Sequence, residues 1–129
     1  MSADRWINYH FTVVRAVPHV HRGEFSNVGV VLHARTAGFL AMRAVDDAAR
    51  LRALLPDADV ELLARYLDCY HGICRGDAAA GPIALLPTSE RFHWLTAPRS
   101  DLLQSSPVHE GICEDPDATL EELFREFVG

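Results

Sequence analysis

From Trp6 to Val13 the chain alternates, with Ile7, Tyr9, Phe11 and Val13 on one side and Trp6, Asn8, His10 and Thr12 on the other. Period-2 alternation predicts a β-strand with one more apolar face, because successive side chains leave the pleat in opposite directions. Pro18, which has no N–H for a ladder, stops it. "EFSNVGVVLHA" predicts a second strand, with Val28, Val30 and Leu32 on one face. Gly29 marks a bulge or the close approach of a neighbouring backbone. After the turn "TAG", "FLAMRAV" continues as a third strand, so residues 6 to 45 are expected to form an antiparallel meander.

The period then changes. Asp46 or Asp47 is placed to cap a short helix running through Leu55, and Pro56 ends it. After Asp59, a second N-cap, Leu62, Leu63, Tyr66, Leu67, Tyr70, Ile73 and Cys74 recur at helical spacing. This predicts the main core helix around residues 59 to 73, with Gly72 or Gly76 near its stop. "AAAGPIALLPTSE" reads as a Gly/Pro-punctuated crossing, "RFHWLT" as a short strand and "PVHEGIC" as another. Asp115 and Pro116 open a terminal helix around residues 117 to 127, striped by Leu120, Leu123, Phe124 and Phe127. The expected fold class is α+β, in a single domain over residues 1 to 129. Its mainly antiparallel sheet, the N-terminal meander plus C-terminal strands, is covered by a central and a C-terminal helix.

Composition narrows the function classes. With 129 residues, 49% hydrophobic and 23% charged, the chain has enough apolar material for one core. No run approaches the roughly 20 apolar residues that span a bilayer, and no secretory leader is recognisable at the N-terminus, so a cytoplasmic location is expected. A net charge of −6 disfavours broad attraction to nucleic acid. All twelve basic residues are arginines, which excludes lysine chemistry and leaves planar, bidentate anion recognition available. Three cysteines without a sign of export are expected as reduced thiols.

Two constellations carry candidate chemistry. In "HRGEFSNVG", Arg22, Glu24 and Asn27 gather at a strand entrance around Gly23. They are either an anion clamp with a base or metal ligand, or an Arg-Glu pair with an Asn that closes a turn. In "ERFHWLTAPRSDLLQSSPVHEGIC", Arg91, His93, Arg99, Ser100, Gln104, Ser105, Ser106 and His109 lie among Phe92, Trp94 and Leu95. Guanidinium forks with hydroxyl donors suit a phosphate or carboxylate, and Trp94 could stack a base, although a core tryptophan is the commoner role. Polar groups at a core strand's entrance need partners, so "RGEFSN" is expected to pack beside the segment from Arg91 to His109. His19 with His21, and Cys69, His71 and Cys74, lack the spacing of strong metal motifs, so no metal and no cofactor is expected. Cys74 and Cys113 could pair with His71 or His109 as nucleophiles, but Cys74 follows the apolar stripe and reads as packing.

The segments "RGEFSNVGVVLHA", "HGICRGD", "SERFHWLTAPRSDLLQSSPVHEGIC" and "LEELF", in this order over nearly the whole chain, resemble the bacterial family called domain of unknown function 3037. The resemblance implies a small α+β protein with a HipA-like kinase encoded nearby as its partner. It implies no reaction and no catalytic residue. The family's signature falls on Arg22, Gly23, Glu24, Asn27, Gly29, Arg91, Phe92, Trp94, Arg99, Ser100, Gln104, His109 and Gly111. The candidate functional surface is accordingly Arg22, Glu24, Asn27, Arg91, Trp94, Arg99, Ser100, Gln104 and His109. With no recognisable catalytic motif, a non-enzymatic interaction or regulatory partner is the preferred function. The alternative is an enzyme or ligand binder acting on a phosphorylated or nucleic-acid substrate through the Arg/Glu/Ser/His cluster.

Overall fold

The computed structural model describes residues 5–19, 22–99 and 101–129. Five strands, β1 (Ile7–Ala16), β2 (Ser26–Ala34), β3 (Phe39–Ala44), β4 (Leu103–Ser105) and β5 (His109–Cys113), join four α-helices. The helices are α1 (Ala48–Leu54), α2 (Val60–Arg75), α3 (Thr88–Thr96) and α4 (Pro116–Phe127). Every strand pairing is antiparallel. The sheet runs β3-β2-β1-β4, and β5 also pairs with β1, so the fold is α+β around the expected meander.

The alternation on the strands builds two cores. Phe11, Val13, Val30 and Leu32 meet Leu120 and Leu123 of α4 on one face of the sheet. Val14, Ala16, Val31 and Met42, one residue out of step, meet Leu63, Leu67 and Ile73 of α2 and Leu95 of α3 on the other. The expected central and C-terminal helices therefore cover opposite faces. From Thr12 to Val14 both faces of β1 are buried.

The caps follow the sequence. Asp47, Asp59 and Asp115 each accept from backbone N–H groups at the starts of α1, α2 and α4. Gly76 ends α2 with φ +73°, a left-handed conformation in which a Cβ is strained. Gly29 serves both purposes considered for it. The register slips where Val14 faces Gly29 but Arg15 faces Asn27, and a Cβ on Gly29 would lie 3.1 Å from the Ala44 Cβ.

One element differs in type. "RFHWLT" is not a strand but the body of α3, which begins earlier, at Thr88. Phe92 and Leu95, three apart, are its buried residues, and Thr88 lies one turn before Phe92. Phe92 and Trp94, two apart, fit a strand, whereas Phe92 and Leu95 fit a helix; over six residues both patterns can be read, and the turn preceding the segment decides for the helix. Strand β4, three residues long, is not expected from the sequence pattern.

Candidate functional site

The "RGEFSN" stretch forms one wall of a cavity. The chain leaves β1 at Pro18, and Arg22 donates its backbone N–H to the His19 carbonyl at 3.0 Å before Gly23 turns with φ +69°. Glu24, Phe25 and Ser26 then face Leu54, Leu55, Pro56 and Asp57 at and after the end of α1 across an open cavity of about 210 Å³. Leu55 is buried and anchors the opposite wall, whereas Phe25 and Leu54 stand 50% and 40% exposed. Arg22 and Glu24 are both exposed and form no ion pair with each other. The result is a pocket of mixed lining, with Phe25, Leu54, Leu55, Pro18 and Pro56 beside His19 and the two carboxylates Glu24 and Asp57.

The arginines of the second constellation hold the scaffold. Arg91 donates from Nη1 to the carbonyls of Ile73 and Cys74 at 2.7 and 3.0 Å, and from Nε to the Leu86 carbonyl at 2.8 Å. It therefore closes the last turn of α2, where helix carbonyls run out of intrahelical partners. Arg99 donates to the Tyr70 hydroxyl at 3.2 Å and to the Trp94 carbonyl. Its guanidinium lies 4.2 Å from the centre of the Trp94 ring, whose edge relation to Tyr70 spans 6.2 Å. Trp94 thus gives a face to Arg99. Serine hydroxyls are spent similarly: Ser105 donates to the Leu95 carbonyl, and Ser106 accepts from Val13 N–H. Ser100, like His21, lies outside the described residues.

Asn27 and Gln104 come together through a residue outside the sequence candidates. Both face Arg15 in register, from β2 and β4 on either side of β1. Arg15 lies over the Phe25 ring, 4.3 Å from its centre. Asn27 donates to the Phe127 carbonyl at 3.1 Å. Arg15 Nε and Asn27 Oδ1, a donor and an acceptor, are buried without a hydrogen-bond partner among the described residues. From the sequence, "RGEFSN" and residues 91 to 109 are expected to pack side by side; here Ser26–Asn27 and Leu103–Gln104 flank the same end of β1 from opposite sides, with Arg15 and Ala16 between them. Glu24, Arg91 and Arg99 form no common ion-pair network among the described residues. His109 sits apart, its ring 5.3 Å from that of Phe11.

A second polar row was also invisible to sequence reading. His33, His10 and Glu110 face one another across β2, β1 and β5. His10 pairs with Glu110 at 3.3 Å, while buried His33 lies 3.3 Å from the Thr88 hydroxyl and against Phe92. Burial chiefly, then His10, Arg35 and Arg91, holds His33 below the ordinary histidine pKa of about 6.5. Burial does the same to His71, helped by Arg75 and Arg43 and opposed by Asp68 and Asp46. Both imidazoles then bind fewer protons folded than unfolded. Stability is full above the unfolded value and declines as pH falls below about 6.5. The urea midpoint is expected to drop between pH 7.5 and 5.5, and His33→Gln to flatten that slope. An unchanged slope in the variant would remove His33 from the account.

Cys74 is packing, as its place on the stripe suggests. Burial pushes its thiol up to about 12, so it stays protonated near neutrality and is no nucleophile. Cys113 is also buried, and all three cysteines are free thiols. Among the described residues no group of three or more His, Cys, Asp or Glu is placed to hold a metal ion. No helix among them is long and apolar enough to cross a membrane.

Residues 11–128 match the model of the family described as "Protein of unknown function (DUF3037)", and the chain belongs to that family. No curated protein and no solved structure matches it.

Proposed function

We propose that this protein is a non-enzymatic interaction partner that docks another protein in the cavity between the start of β2 and the end of α1. The observation that carries this reading is the pair of half-exposed apolar side chains, Phe25 and Leu54, gathered with Glu24 and Asp57 around an open cavity. Isolated exposed apolar residues are ordinary, but two lining one opening offer an anchor position. The occupant that fits is a partner segment carrying an arginine or lysine beside apolar residues. Its aliphatic stem would lie on Phe25 and Leu54, and its charged head would meet the carboxylates. The resemblance noted in the sequence implies a HipA-like kinase encoded nearby, which makes that kinase the first partner to test. A cytoplasmic location belongs to the same proposal and agrees with three unpaired cysteines. The alternative, a binder of phosphorylated or nucleic-acid substrates, needs guanidinium groups turned toward an opening. Arg91 and Arg99 instead hold carbonyl groups and Tyr70.

Co-expression with the kinase followed by purification tests the proposal. Glu24→Gln and Phe25→Ser are each expected to weaken capture about tenfold or more, which corresponds to about 1.4 kcal/mol. Glu24→Gln, at an exposed position, should leave the melting temperature near wild type, whereas Phe25→Ser also removes the ring under Arg15 and its capture is judged beside its own melt. Capture unchanged in both variants would reject the cavity as the docking site.

A further inference from the structure

The sheet ends on one side at β5, whose only pairing among the described residues is with β1. We infer that this edge pairs antiparallel with the β5 edge of a second copy, about a two-fold axis at Gly111, to make one sheet continuous through both chains. The inference is independent of the cavity at the start of β2.

Three observations carry it. An unpaired edge strand presents a row of backbone donors and acceptors that another strand can complete. Next, two apolar side chains of this segment stand open: Ile112 is 60% exposed and Val108 44%. Finally, the two carboxylates flanking this edge each lie beside a basic side chain of their own chain. Glu110 pairs with His10 at 3.3 Å and Glu114 with Arg5 at 3.1 Å. Two copies each carrying a net charge of −6 repel as whole molecules; at this edge Arg5 offsets Glu114, whereas Glu110, beside a histidine that is charged only when protonated, keeps its charge and so bears on the register.

Overlap and charge together select the register: centred on His109 or Cys113 the five-residue strands would meet only at their ends, and charge decides among the three centres between. A two-fold axis perpendicular to the sheet keeps each side chain on its face, so it passes through a residue rather than between two. Centred on Glu110, the pairing would set Glu110 against its own copy. Centred on Ile112, it would set Glu110 against Glu114. Directly opposed like charges destabilise a strand pair. Centred on Gly111, Glu110 faces the partner's Ile112 and Val108 faces the partner's Glu114, with no carboxylate against another. Five residues a side fall short of the roughly 1,200–2,000 Å² of a standard stable interface, so the association is expected to be weak and concentration-dependent.

Light scattering across a concentration series up to about 0.5 mM tests this, in the range expected of a small interface. Wild type is expected to rise from monomer toward dimer mass. Ile112→Glu, which opposes a new carboxylate to Glu110 of the other copy, is expected to stay monomeric with an unchanged melting temperature. Ile112→Lys, which opposes an ammonium to the same carboxylate, is expected to keep or strengthen the dimer. Under the register centred on Ile112, the lysine variant would instead set two ammonium groups together and dissociate. A monomeric wild type, a dimer indifferent to Ile112→Glu, or a lysine variant as disruptive as the glutamate variant would each overturn the inference.

Discussion

Replacing Arg91 with alanine is expected to lower stability by about 2–4 kcal/mol, on a scale where one hydrogen bond to a charged group contributes roughly 1.5–3 kcal/mol. Arg91 makes three such bonds, to Ile73, Cys74 and Leu86, and they tie the end of α2 to the start of α3. Water replaces part of what is lost, because the residue is only half-buried; this keeps the figure well below three full bonds. A lysine presents a compact charge on a flexible stem rather than a planar fork. Arg91→Lys should therefore recover only part of the loss. Urea titration of the three proteins would show the midpoint falling with an unchanged slope if the folded and unfolded states otherwise stay the same. An alanine variant as stable as wild type would mean that Arg91 is free for a ligand after all.

Ser106→Ala is expected to cost about 1–3 kcal/mol, the penalty of leaving one buried donor unsatisfied. Between β4 and β5 the ladder on β1 is interrupted at Pro107, which has no N–H to give. Ser106 repairs the gap with its side chain. Its hydroxyl accepts from Val13 N–H at 2.9 Å and donates to the Pro107 carbonyl at 3.0 Å, while Thr12 donates to the Ser106 carbonyl at 2.8 Å. Thr12 is fully buried and Ser106 nearly so, so removing the hydroxyl leaves the amide of Val13 orphaned in a site almost closed to solvent. Ser105→Ala is the control. Its hydroxyl only donates to the Leu95 carbonyl, and a carbonyl short of one partner is the smaller loss. Thermal melts of the two variants should rank Ser106→Ala well below Ser105→Ala, and equal losses would refute the bridging role.

These two residues show why the candidate site was only partly legible. Arg91, Arg99, Ser105 and Ser106 were singled out as dense polar chemistry, yet their groups turn inward to carbonyls and an amide of segments distant in sequence. Nothing in "ERFHW" says that the carbonyl of Ile73 lies within 2.7 Å. Arg15, His10 and His33 carry no local signal for the converse reason: each stands alone on a strand, and becomes part of a row only when neighbouring strands supply the rest.

Local rules acting within a few residues determined the meander, the start of each of the helices α1, α2 and α4 and the glycine stop of α2. Alternation, an aspartate able to accept from the next turn's N–H groups and a residue without Cβ act wherever they occur, and they are readable in order along the chain. The same sequence marked the start of β2 as polar and crowded. Only the tertiary structure decided that α4 and α2 lie on opposite faces of the sheet, that "RFHWLT" coils, and that Glu24 faces Leu54 and Asp57 rather than Arg91 and Arg99. Those outcomes depend on which distant segments come to share a surface, and a side chain's partner is set by that closure of the chain, not by its neighbours in sequence.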